Sequence, residues 1–102
     1  MWPTNALTER LGLVYPIIQA PMAGAATPAL AATVSEAGGL GSLGLGTSSP
    51  DAAAAEIRRF RQMSAKPLNA NFFCHDEPGD VTGAGKAMQA RLQPYFDEAG
   101  AG

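Results

Sequence analysis

The stretch Tyr15-Pro16-Ile17-Ile18-Gln19-Ala20-Pro21-Met22-Ala23-Gly24 decides how the chain is read. Residues 15–20 are apolar and β-branched, the composition of a short buried strand. Pro16 has no N–H to give a ladder and fits only at the start of that strand. Pro21 and Gly24 then punctuate a loop over residues 21–27, which presents bare backbone at the C-terminal mouth of a parallel sheet. Mouths of that kind are where α/β proteins hold their ligands.

Outward from this stretch the punctuation stays regular. Residues 4–11 predict a short helical turn capped by Thr4 or Asn5. On the other side, Thr27 suits an N-cap and Pro28 the first helical position. The helix they open runs to about Ala37, with Leu30 and Val34 on one face and Gly38 as its stop. Residues 40–45 form a second, tightly packed strand. Ser49, Pro50 and Asp51 open a helix that ends near Met63, with Ala53, Ala54, Ile57 and Phe60 turned inward. Arg58, Arg59 and Arg61 read as its solvated face. A third strand covers residues 67–73, a loop residues 75–85, and a helical stretch residues 86–99, which Pro94 must kink or restart.

Strand and helix thus alternate at roughly 25 to 30 residues per βα unit, which implies parallel pairing and an α/β fold. A closed (β/α)8 barrel typically needs about 250 residues. The 102 residues therefore read either as a compact three-stranded unit or as the front of a larger protein. The ending Glu98-Ala99-Gly100-Ala101-Gly102, which has no final strand, favours the second.

With a net charge of −2, the chain has no electrostatic footprint for nucleic acid or an anionic membrane. Its longest apolar runs fall short of the about 20 residues of a membrane helix, and the N-terminal residues lack the basic and apolar regions of a signal peptide. Cys74 is the single cysteine, so no internal disulfide can form. A cytoplasmic location is expected.

Gly39-Leu40-Gly41-Ser42-Leu43-Gly44 matches the pattern G-x-G-x-x-G. A dinucleotide fingerprint needs those glycines after a strand and at the opening of a helix, with an acidic residue about 20 positions on. Here a helix precedes them, and residues 60–64 contain no Asp or Glu. The glycines read instead as places where something approaches a strand closely, either a flat ligand or a neighbouring side chain. In the third strand Asn69, Asn71 and Phe73 share one face, and Leu68, Ala70 and Phe72 the other. Asn69 is expected to hydrogen-bond a neighbouring strand or a buried water. Asn71, nearer the C-terminal end, is expected to hold a polar heterocycle.

Cys74-His75-Asp76 suits neither a Cys-His nucleophile, because adjacent residues of an extended segment diverge, nor a metal site, because there is no second histidine. Cys74 reads as a packed thiol and His75 as a loop residue. A structural role is expected of Gln19. Met22 could fill core space or pack against a flat ring, and the residues alone do not choose.

Residues 15–24, with Thr27-Pro28-Ala29-Leu30-Ala31-Ala32 and residues 35–44 after them, resemble the opening of the nitronate monooxygenase family, once called 2-nitropropane dioxygenases. Lys66-Pro67-Leu68-Asn69-Ala70-Asn71-Phe72-Phe73 is similar to the family's third strand. The resemblance implies the first three βα units of an FMN-binding (β/α)8 barrel, residues 1–102 being the N-terminal portion of that single domain. It also implies oxidation of alkyl nitronates by O2 to carbonyl compounds and nitrite. By position, Pro21, Met22, Ala23 and Gly24 resemble the loop that lies against the isoalloxazine, and Asn71 matches a flavin-binding asparagine. The family's catalytic histidine falls beyond these residues, so no catalytic residue is assigned, and His75 does not inherit the role. The phosphate-binding loops of later strands are missing too.

Two other readings compete. One is an FMN-dependent enoyl-acyl-carrier-protein reductase, whose early loop usually resembles Gly-Gly-Met-Ala-Trp rather than residues 20–24. The other is a non-catalytic fragment, whose exposed strand edges would allow self-association.

Overall fold

The computed structural model describes residues 2–100. Its elements are α1 (Ala6–Leu11), α2 (Pro28–Glu36), β1 (Gly41–Gly44), α3 (Pro50–Met63), β2 (Leu68–Asn71) and α4 (Thr82–Glu98). β1 and β2 pair in parallel, with Ser42 opposite Asn69 and Gly44 opposite Asn71. The α/β expectation holds.

Local sequence explains where the first three helices start. Asn5 caps α1: its Oδ1 accepts from the N–H groups of Leu7 (3.1 Å) and Thr8 (3.0 Å), and Thr8 Oγ1 accepts from Asn5 N–H at 2.9 Å. Thr27 Oγ1 accepts from Leu30 N–H at 3.1 Å and Ser49 Oγ from Ala52 N–H at 3.2 Å, with Pro28 and Pro50 at the first helical positions. Gly38, at φ 101°, takes the left-handed conformation after α2 that a Cβ would oppose.

The expected strand over residues 15–20 is reduced to one parallel bridge, Ile18 to Leu40. Leu40 N–H donates to Ile17 O and Gln19 N–H to Leu40 O, both at 2.9 Å. Continuing that ladder would require an N–H at position 21, where Pro21 has none. The segment is not buried as expected: Ile17 and Ile18 are each about half exposed, because only β1 flanks them among the described residues.

The core lies on one face of β1, where Leu43 and Leu45 meet Ala31 and Ala32 of α2 and Ala53 and Phe60 of α3, with Ile57 and Leu68 at its margin. The inward face of α2 is Ala31, Ala32 and Ser35, and Leu30 is exposed. Close approach explains this choice. A Cβ on Gly41 would stand 2.0 Å from the Ala31 carbonyl oxygen, so backbone meets backbone and only small side chains fit beside the contact. Ser35 Oγ joins the layers further, accepting from Gly41 N–H (3.0 Å) and donating to Pro67 O (2.8 Å).

Beyond β2 the chain packs differently. Phe72 and Phe73 lie past the end of the strand and are exposed, and α4 buries none of its residues. It begins at Thr82, earlier than residue 86; Val81 stands at the cap position without a side-chain bond, and Asp80 Oδ1 accepts from Thr82 N–H at 3.0 Å. The Thr82 hydroxyl and then its N–H hold the Asp80 carboxyl below the usual 3.8. Pro94 does not restart the helix, which runs through it, although the Ala90 carbonyl loses its intrahelical donor. Among the described residues no helix is long and apolar enough to cross a membrane.

Candidate functional site

The face of β1 turned away from the helices is polar. Ser42 and Gly44 lie there with their partners Asn69 and Asn71. Ser42 is fully buried and engaged from both sides. Its Oγ accepts from Asn69 Nδ2 at 3.1 Å, the neighbouring-strand bond expected of Asn69. Its N–H donates to Gln19 Oε1 at 3.1 Å. In an unbroken parallel ladder that N–H would go to the backbone carbonyl of Gln19. The side chain takes the place of its own backbone, two positions before the proline that ends the ladder. Gln19 is structural, as expected, but its Nε2 is buried and has no partner among the described residues. A buried unsatisfied donor of this kind costs about 1–3 kcal/mol.

Above Gln19 the loop folds back over the sheet. Ala25 and Ala26 N–H groups donate to Met22 O at 3.2 and 2.8 Å, and Gly24 turns at φ 77°. Met22 and Ala23 come down on Gly44, where a Cβ would lie 2.8 Å from Ala23 N. Further along, a Cβ on Gly46 would lie 2.7 Å from the Phe73 ring. The loop backbone thus approaches Gly44, and the Phe73 ring approaches Gly46. The N–H groups of Met22, Ala23 and Gly24 make no hydrogen bond among the described residues. Met22 is 45% exposed and fills no core.

Asn71 is half-buried on the same face, across the ladder from Gly44. Its backbone carbonyl accepts from Leu45 N–H at 2.9 Å, and its carboxamide makes no hydrogen bond among the described residues. Loop 21–24 and Asn71 therefore stand on either side of Gly44 with unengaged donors. A cleft of about 370 Å³ opens beside them, lined on one side by Ala23, Gly24 and Thr27 and on the other by Thr47, Ser48 and Arg59. Pro21, Met22 and Asn71 do not line it. Of the five expected ligand residues, Ala23 and Gly24 reach the cleft, Met22 and Asn71 flank Gly44, and Pro21 ends the ladder.

Ser42 was not singled out by the sequence, although it is the one polar side chain in β1. Cys74 departs from expectation: it is exposed, because β2 ends at Asn71 and nothing covers the segment that follows. His75 is an exposed loop residue stacked on Phe73 at 5.9 Å. Among the described residues no cluster of His, Cys, Asp and Glu could hold a metal ion.

The family model for nitronate monooxygenase matches residues 4–94. A nitronate monooxygenase of Paraburkholderia phytofirmans is 48% identical over 95% of this chain and 26% of its own length. One of Pseudomonas aeruginosa is 48% identical over 96% of this chain and 28% of its own. The chain thus spans about a quarter of the curated relatives it matches. Among solved structures, a nitroalkane oxidase from Streptomyces ansochromogenes superposes with a TM-score of 0.69 at 36% identity, covering 91% of this chain and 26% of that one. FabK from Thermotoga maritima gives 0.67 at 42% identity, over 70% of this chain and 23% of that one. The chain belongs to the nitronate monooxygenase family.

Proposed function

We propose that residues 1–102 are the N-terminal portion of an FMN-dependent nitronate monooxygenase of the cytoplasm, contributing the first three βα units of a (β/α)8 barrel. The observation that carries the reading is the pair of donor groups left open around Gly44: the N–H groups of residues 22–24 on one side and the Asn71 carboxamide on the other. These fit one wall for a flat heterocycle rimmed with carbonyl and imine acceptors. The loop backbone would donate to the ring edge, Asn71 would fix its rotation, and the exposed Met22 thioether would lie against its face. A flavin held there would supply the electron transfer between an alkyl nitronate and O2 that the conversion to a carbonyl compound and nitrite requires. The proton-handling histidine and the phosphate anchor are not among these residues, so the chain alone is expected to carry no stoichiometric FMN and to release no nitrite.

The likeness to FabK supports a second reading, a flavin-dependent enoyl-acyl-carrier-protein reductase on the same scaffold. A hybrid separates the two: residues 1–102 joined in place of the matching portion of the P. aeruginosa relative. The expected hybrid is yellow and releases nitrite from propyl nitronate, and Asn71→Ala in it weakens FMN retention by about tenfold. NAD(P)H-dependent reduction of an enoyl thioester without nitrite would establish the second reading. A colourless hybrid would defeat both.

A further inference from the structure

Gln19 lies two residues before the ligand loop, yet none of the groups assigned to the ligand includes it. Its side chain occupies the seam between residues 15–20 and β1, with Oε1 receiving the N–H of the fully buried Ser42 at 3.1 Å. Below this point the seam is closed by ordinary backbone bonds between Ile17, Gln19 and Leu40. Above it, Pro21 cannot donate, and the loop's own bonds run only from Ala25 and Ala26 to Met22, within the loop itself. So the last hydrogen bond that ties the loop's leading end to the sheet is a side-chain bond. A carboxamide inserted between two strands also separates their backbones more than a direct N–H to C=O bond would. Just beyond this point Met22 and Ala23 descend onto Gly44.

We propose that Gln19 is a positioning residue: through Oε1 it sets the height and lateral place of residues 21–24 over Gly44, and thereby the donors that face the ligand. Its consequence for a flavin rests on the function proposed above; its consequence for the loop does not. The role belongs to the acceptor oxygen. The Nε2 group has no partner among the described residues and is not required.

The test uses two variants of the full chain, ¹⁵N-labelled and followed by amide hydrogen exchange and backbone chemical shifts. Gln19→Met keeps the length of the side chain and removes the acceptor. Exchange of the Ser42 amide should rise about tenfold, the cost of one lost buried hydrogen bond. The resonances of residues 22–24 should move, while Leu43, Leu45 and Phe60 keep their protection. Gln19→Glu retains an acceptor oxygen and should restore both the Ser42 protection and the loop shifts. Unchanged Ser42 exchange and loop shifts in Gln19→Met would overturn the proposal, as would equal defects in both variants. Uniform loss of protection through the core in Gln19→Met would overturn it too, by making the residue a general stabiliser. In the hybrid, Gln19→Met should raise the Kd for FMN about tenfold, with Gln19→Glu close to the parent. If the parent hybrid takes up no FMN, the functional reading fails, and the exchange data still decide the role of Gln19.

Discussion

The two faces of β1 are one residue apart in sequence and opposite in how they are completed. Leu43 and Leu45 look toward α2 and α3 and disappear into a core the chain supplies for itself. Ser42 and Gly44 look the other way, into a layer of amides and bare loop backbone where Gln19 Nε2, the Asn71 carboxamide and three loop N–H groups remain without partners among the described residues. The first face is settled by burial, which is non-directional and tolerates several neighbours. The second consists of directional groups, each needing a particular acceptor. The proposed function is therefore argued from the polar face and the fold from the apolar one.

Breaking the apolar face should cost the most. Phe60 is fully buried at the centre of the cluster, and Phe60→Ala should lower unfolding free energy by about 3–5 kcal/mol, read from urea titration. A loss below about 1 kcal/mol would mean that this face is not the source of stability. Next comes Gly41→Ala. The new methyl would face the Ala31 carbonyl at 2.0 Å with backbone on both sides, so α2 must lift from β1, at about 1–3 kcal/mol.

On the polar face, the same substitution should have a different character. Gly44→Ala also produces a clash, 2.8 Å from Ala23 N, but its neighbour is a loop held by internal bonds and free to rise. The expected stability loss is below about 1 kcal/mol, with chemical-shift changes centred on residues 21–26 and loss of FMN from the hybrid. Equal destabilisation by Gly41→Ala and Gly44→Ala would erase the contrast between the faces.

The sequence made the helix starts legible because Asn5, Thr27 and Ser49 act on N–H groups two or three residues away, and Pro28 and Pro50 fix their own φ. The side-chain alternation of β2 was equally local, and it placed Asn69 and Asn71 on the polar face. What escaped was set by contacts between distant segments. Leu30 and Val34 are the larger apolar residues of α2, but the Gly41 approach selects Ala31 and Ala32. Residues 82–85 read as loop, yet α4 already begins at Thr82. Pro16 was placed at the start of a strand that Pro21 then cuts to one bridge. The loop over residues 21–27 was visible as punctuation, whereas the Gln19 and Ser42 pairing beneath it depends on a register that residues 15–24 do not encode alone.

Pro21→Ala is the smallest expected perturbation and the most specific to that seam. It gives position 21 an N–H able to donate to the Ser42 carbonyl, the next bond of the parallel ladder. Gaining that bond contributes about 0.5–1.5 kcal/mol. Losing proline's restriction of the unfolded chain costs about 0.4–1 kcal/mol. The two nearly cancel, so the urea midpoint should barely move. The geometry should still change: as the ladder closes, Ser42 N–H can return to the Gln19 backbone carbonyl, its side chain is expelled from the seam, and the loop settles closer to β1. The measurement is the exchange rate of the new amide at position 21 together with the shifts of residues 22–24. A protected amide there, with a displaced loop and unchanged stability, is the expected result. An unprotected amide and an unmoved loop would mean that Gln19 holds the seam open even when the backbone can close it, and that the polar face is shaped by the side chain more than by the proline.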